Sequence, residues 1–105
     1  MSVHSGTHAE AAAVEPSRQQ LEEMYRRMCA VRELEEELGR QHKLGTTRGP
    51  IHRCDGQEAV GVAVTAALAA TDIVTSTHRG HAHYIGKGAD LRRLAAEIFG
   101  RKTGY

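Results

Sequence analysis

Residues 73–83 read IVTSTHRGHAH, a β-branched run that gives way to a basic, histidine-rich segment. The run Ile73, Val74 and Thr75, bounded by polar residues, predicts a short buried strand over about 73–77. Such a strand cannot stand alone. Its backbone donors and acceptors need ladder partners, and each buried group left unpaired costs on the order of one to a few kcal/mol. With one strand predicted in the whole chain, the remaining strands are expected from other polypeptide. The expected fold class is α/β, mostly helical over these residues and carrying one short strand of a parallel sheet.

Around this stretch the pattern is helical. Ser17, after Pro16, is placed to cap a helix, and Gln20 three residues on completes a capping box. Leu21, Met24, Met28, Val31, Leu34 and Leu38 recur at spacings of three and four, which predicts one apolar stripe and a helix to about Leu38, with Gly39 as its stop. Glu22 with Arg26 and Glu23 with Arg27 are i, i+4 pairs that support an exposed face. Residues 40–55, with two glycines and a proline, read as a long loop. Asp55 is expected to start a second helix, with Glu58 closing another capping box. The body of that helix, AVGVAVTAALAA over 59–70, is apolar almost all round, so it is expected to be enclosed by other protein. A third helix is expected after Asp90 as cap, with Leu91, Leu94, Ala95, Ile98 and Phe99 facing inward and Gly100 as its stop.

Composition bounds the rest. The 105 residues have room for one small domain, and 14 Lys and Arg against 13 Asp and Glu leave a formal charge of +1, which implies no nucleic-acid partner. Cys29 and Cys54 form neither a CxxC pair nor a disulfide framework, so a reducing, cytoplasmic setting is expected. Residues 1–15, MSVHSGTHAEAAAVE, lack the apolar stretch of a secretory signal and are read as a disordered tail ahead of a domain over 16–105. No segment approaches the roughly 18 consecutive apolar residues of a membrane span, so no membrane partner is expected.

Two constellations carry candidate chemistry. In α/β sheets ligands bind beyond the carboxyl ends of the strands, and here that place belongs to Thr77, His78, Arg79, Gly80 and His81. Arg79 offers a planar fork of donors suited to phosphate, Gly80 lets backbone approach a ligand, and His78 and His81 can exchange protons near neutral pH. An isolated HRGH tetrapeptide is more often an ordinary polar loop. The second constellation is Arg48-Gly49-Pro50-Ile51-His52 followed by Asp55-Gly56-Gln57-Glu58. Asp55 and Glu58 read first as a helix cap, but a cap has no need of His52, which sits where a helix N-terminus favours anions. His78, His81 and His83 with Cys54 also make a loose set that a transition metal could gather, although no metal ligand is assigned.

The order RGPIH (48–52), DGQEAVGVAVTAAL (55–68), IVTSTHRGHAH (73–83), KGAD (87–90) and a helix ending in FGRKTGY (99–105) resembles the alpha subunits of pyruvate, acetoin and branched-chain 2-oxo acid dehydrogenases. The likeness covers roughly Leu21 to Tyr105 and lies nearest the acetoin and pyruvate branches. It implies the N-terminal portion of a thiamine-diphosphate-binding fold and the cofactor thiamine diphosphate. By that resemblance Arg79 binds the cofactor's diphosphate and His78 lines the cofactor site. His52 faces the active centre and its lipoyl-type acyl acceptor. His81 shares the loop and joins His52 as a candidate catalytic residue, its direct role left open. Gln57 and Glu58 are architectural. At the position of His78 many pyruvate enzymes have tyrosine, and the acetoin-type sequences have histidine.

The family also uses a Gly-Asp-Gly segment to hold Mg²⁺ against the diphosphate, and that tripeptide does not occur in this sequence. A hard cation needs a cage of oxygen ligands, so the metal is expected on a partner, an α-type chain that carries the motif. The family's cofactor-activating glutamate comes from a beta subunit. The resulting expectation is a half-subunit, working only in a hetero-oligomer, that decarboxylates a 2-oxo acid or cleaves an acetoin-like ketone and passes the product unit to a lipoyl-bearing acyltransferase or carrier. Two alternatives are a non-catalytic docking or regulatory piece and a small metal-binding protein.

Overall fold

The first helix, α1 (Arg18–Lys43), begins at the expected capping box: the Ser17 hydroxyl accepts from the Gln20 N–H at 3.2 Å, and the Gln20 side chain accepts from the Ser17 N–H at 2.7 Å. In this computed structural model, which describes residues 14–105, the helix runs past Gly39 instead of stopping there. Gly39 is a helical residue covered by Arg53, and a Cβ at that position would lie 2.1 Å from Arg53 Nη1. It is glycine for room, and the helix ends at Lys43, four residues later. Gly45 takes a φ of 73°, its N–H bonds to the His42 carbonyl at 3.0 Å, and the Thr46 N–H bonds to the Gln41 carbonyl at 3.1 Å. That pair of bonds satisfies the last carbonyls of the helix. Of the predicted stripe, Val31 and Leu38 are buried, Met24, Met28 and Leu34 are partly buried, and Leu21 is exposed.

The second helix, α2 (Glu58–Ala66), is shorter than the apolar stretch that encodes it and is entered from Gln57, not from Asp55. Asp55 is turned toward Arg53, which grips both its carboxylate oxygens at 2.8 and 2.9 Å, and Gln57 stands at the cap position with no side-chain cap bond. Glu58 instead reaches back to the Gly56 N–H at 2.9 Å. Beyond the helix, the Asp72 carboxylate accepts from the Ala69 N–H, and the Lys87 ammonium donates to the carbonyls of Ala69, Ala70 and Asp72 at 3.1, 3.2 and 2.9 Å. These bonds turn the chain out of the helix before its apolar run ends.

The predicted strand over 73–77 does not form. Among the described residues there is no strand at all, and Ile73 is 92% exposed. No second extended segment lies beside it to complete a ladder, and without one the β-branched run gains nothing by regular pairing. The following segment, read as loop from the sequence, turns into the short helix α3 (His81–Gly86), whose Ala82, Ile85 and Gly86 are buried. Helix α4 (Leu91–Ile98) starts as expected from Asp90, whose carboxylate accepts from the Arg93 N–H at 2.9 Å, and closes at Gly100 with φ 63°. Leu94 is buried and Ala95, Ile98 and Phe99 are partly so, whereas Leu91 in the first turn remains exposed.

Helices α1, α2 and α3 pack on one another around Val31, Cys54, Val62, Ala82 and Ile85, and Leu94 of α4 completes the cluster. The contact of α2 with α3 is very close: a Cβ on Gly61 would lie 2.6 Å from the Ala82 Cβ, and one on Gly86 would lie 2.0 Å from Thr65 Oγ1. This crossing fixes where α3 begins. On the other side of α2, Val60, Val64 and Leu68 follow one another at intervals of four and remain exposed. The radius of gyration is 18.0 Å, against about 13 Å for a self-contained domain of about 100 residues. None of the described helices is long and apolar enough to cross a membrane. The tail expected over 1–15 falls outside the described residues except for Val14 and Glu15, which are exposed and without regular structure.

Candidate functional site

Two irregular segments meet at the end of this core. The first runs from Leu44 to Gln57, turned by Gly49 (φ 71°) and Gly56 (φ 90°), and carries His52; the second is Thr77–Gly80, which leads into α3. The His52 and His78 rings stand edge to face, with centroids 4.5 Å apart and planes at 78°. Arg79 donates through Nη1 to the Arg53 carbonyl, and its own backbone N–H bonds to Thr77 Oγ1 at 3.3 Å. His52, His78 and Arg79 are therefore brought together on an exposed surface.

The donor set in this group is a guanidinium and two imidazoles, and Asp55 beside them is already held by Arg53. A guanidinium grouped with two imidazoles suits an anion with several oxygens, such as a diphosphate. It does not suit a hard cation. Among the described residues no group of three or more His, Cys, Asp or Glu is placed to hold a metal ion. The histidines and cysteine that the sequence offered for a metal have other partners here: His83 Nδ1 bonds to Ser76 Oγ at 2.6 Å, while His81 and Cys54 both turn to Glu35.

His81 is not in the loop with Arg79 but is the first residue of α3. Its Nδ1 lies 2.6 Å from Oε1 of Glu35, a residue of α1 with no solvent exposure, and the same oxygen accepts from Cys54 Sγ at 3.0 Å. Burial alone would raise the Glu35 carboxyl, but the hydrogen bonds from His81 and Cys54 outweigh it and hold the group below its ordinary range. The Cys54 thiol is pushed up to about 12 by burial and by the Glu35 carboxylate, so it stays protonated and is no nucleophile. Sequence reading passed over Glu35 because it opens the acidic run 35–37, which looks like a solvated face. Its position does carry a signal, since it falls four residues after Val31 and three before Leu38, on the buried stripe.

Glu58, read as architectural, ties α1 to α2 through its carboxylate contact with Arg32. The hydrogen bond from Arg32 brings its carboxyl from 4.5 down to about 2. A lowered carboxyl contributes stability that is whole above the unfolded value and fades as pH falls through the folded one. The stability difference between the wild type and Glu58→Gln is thus expected to be constant near neutral pH and to shrink as pH drops from about 4.5 to about 2. Urea unfolding followed by circular dichroism at a series of pH values reads this directly, and a difference that stays flat into strong acid would contradict it.

Comparison with known proteins places this geometry in context. Residues 26–105 match the family model described as the dehydrogenase E1 component. The alpha subunit of acetoin:2,6-dichlorophenolindophenol oxidoreductase from Bacillus subtilis (strain 168) is 46% identical over 81 residues, 77% of this chain and 24% of that protein. The subunit of the same name from Cupriavidus necator is 38% identical over 95 residues, 90% of this chain and 28% of that protein. The pyruvate dehydrogenase E1 component subunit alpha of Zymomonas mobilis is 41% identical over 88 residues, 83% of this chain and 25% of that protein. The chain spans about a quarter of the length of these curated relatives. No solved structure gives a match.

Proposed function

Because the chain belongs to the dehydrogenase E1 component family, we propose that it forms the N-terminal part of an alpha subunit that binds thiamine diphosphate and acts on a 2-oxo acid or an acetoin-like ketone. The observation that carries this reading is the meeting of Arg79, His78 and His52 on one surface, from positions 26 residues apart in the chain. The names of its relatives, alpha subunits of acetoin oxidoreductases and of pyruvate dehydrogenase, support the reaction class.

In this reading Arg79 is the diphosphate clamp. Its guanidinium is already fixed by the Arg53 carbonyl, so little rotamer freedom remains to be lost when phosphate oxygens take its other donors. His78 borders the cofactor. His52, held edge-on against His78, faces the reacting centre, where an imidazole can give and take a proton near neutral pH. Thiamine diphosphate, when bound, supplies the electron sink for cleaving a bond next to a carbonyl, and this chain supplies orientation and charge. Mg²⁺ is held by a partner, an α-type polypeptide that carries the Gly-Asp-Gly segment, and a beta subunit completes the centre. A lipoyl-bearing protein accepts the product unit. The exposed line of Val60 and Val64 on α2 with Leu68 just beyond its end supports such an assembly, since apolar surface of this kind gains by being covered.

Titration calorimetry tests the reading. The chain alone is expected to show no saturable uptake of thiamine diphosphate with Mg²⁺, and uptake is expected once an α-type chain with the metal segment and a beta subunit are added. Full binding by the isolated chain would reject the need for partners. No binding in the complete assembly would reject the cofactor reading.

A further inference from the structure

Glu35 is a carboxylate with no solvent exposure in the middle of an apolar core, and its Oε2 has no hydrogen-bond partner among the described residues. A buried charge with half its acceptor capacity unused is costly, and a purely structural position would be served as well by an apolar side chain of similar volume. What the carboxylate does have is two donors on one oxygen, Cys54 Sγ at 3.0 Å and His81 Nδ1 at 2.6 Å, the second reached across 46 residues of sequence. Cys54 brings no charge, because its thiol stays protonated. The partner with a second nitrogen to direct is His81.

We infer that Glu35 is a positioning residue that fixes His81 with its proton on Nδ1 and leaves Nε2 as the nitrogen free to take up and return a proton. A carboxylate oxygen can only accept, so the short contact requires Nδ1 to be the donor. Neutral imidazole carries its one proton on a single nitrogen, and with Nδ1 committed Nε2 must hold the lone pair. Among the described residues Nε2 has no partner, and the ring keeps 19% of its surface in solvent. The same bond anchors the first residue of α3 to α1, two positions after Arg79, and so limits how far the Arg79 segment can move.

The use of Nε2 beside a bound diphosphate rests on the cofactor reading above, but the tautomer does not, and it can be read in the chain without cofactor. Two-bond ¹H–¹⁵N spectra of the ¹⁵N-labelled chain, recorded at a pH where His81 is neutral, are expected to show His81 with Nδ1 protonated and Nε2 bare. In Glu35→Met, which keeps the volume and removes the acceptor, the proton is expected to shift to Nε2, while the spectrum of His52 is unchanged. A wild-type His81 protonated on Nε2 would overturn the inference whether or not the variant folds. So would a His81 tautomer unaltered in a folded Glu35→Met.

Discussion

Replacing Arg79 with alanine in the assembled enzyme is expected to weaken thiamine diphosphate binding by roughly ten- to a hundred-fold, since a hydrogen bond to a charged group contributes about 1.5–3 kcal/mol and about 1.4 kcal/mol is a factor of ten. Arg79 is exposed and, among the described residues, its side chain bonds only to the Arg53 carbonyl, so the loss should appear in affinity and not in folding. Arg79→Lys separates charge from shape. An ammonium keeps the positive charge, but it cannot hold the Arg53 carbonyl and grip phosphate through a flat fork at the same time, so it should recover only part of the loss. Calorimetry of the wild type and both variants, with circular dichroism melts as a control on folding, makes the comparison. Equal affinity in Arg79→Ala would remove this arginine from the cofactor site, and full recovery by lysine would reduce its role to charge alone.

The features legible in the sequence are those decided within a few residues. The Ser17–Gln20 box and the Asp90 cap are local hydrogen bonds, and Gly100 ends α4 because the backbone there needs a positive φ. Features decided by distant neighbours were misread. Gly39 carries the same letter as Gly100 but serves to admit the Arg53 guanidinium 14 residues on, so a stop signal became a packing signal. Asp55 looked like a cap until Arg53 took both its oxygens. The run 73–77 has the composition of a strand, yet pairing is a property of two segments, and the described residues offer one. Helix α3 was hidden because its apolar face amounts to Ala82 and Ile85 with Gly86, too few positions to show a period. At the candidate site, the HRGH and RGPIH motifs named His52, His78 and Arg79, but no motif names Glu35. Its partner, His81, is supplied by the fold from 46 residues further along the chain.

The close crossing of α2 and α3 gives the second large effect. Gly61→Ala should gain roughly 0.5–1 kcal/mol from helix propensity, but its new Cβ would meet the Ala82 Cβ at 2.6 Å and the Ala82 carbonyl carbon at 3.0 Å. Backbone cannot turn aside, so α3 must move, and overpacking of this kind costs about 1–3 kcal/mol or more. The net expectation is a destabilised chain, with a melting temperature lowered by roughly 4–8 °C for each kcal/mol lost. Gly86→Ala meets a different obstacle, Thr65 Oγ1 at 2.0 Å. That hydroxyl can rotate, at the expense of its bonds to the carbonyls of Gly61 and Val62 at 2.7 and 3.0 Å. The two substitutions are thus separable by rescue. Adding Thr65→Ala should restore much of the stability lost in Gly86→Ala and none of that lost in Gly61→Ala, as read by thermal melts of the four variants and the wild type. Since α3 starts at His81, the Gly61 variant should also disturb the His81 to Glu35 bond and, in the assembly, cofactor affinity. A Gly61→Ala chain that melts at or above the wild-type temperature would mean that the crossing has slack, and that α3 does not depend on it for its position.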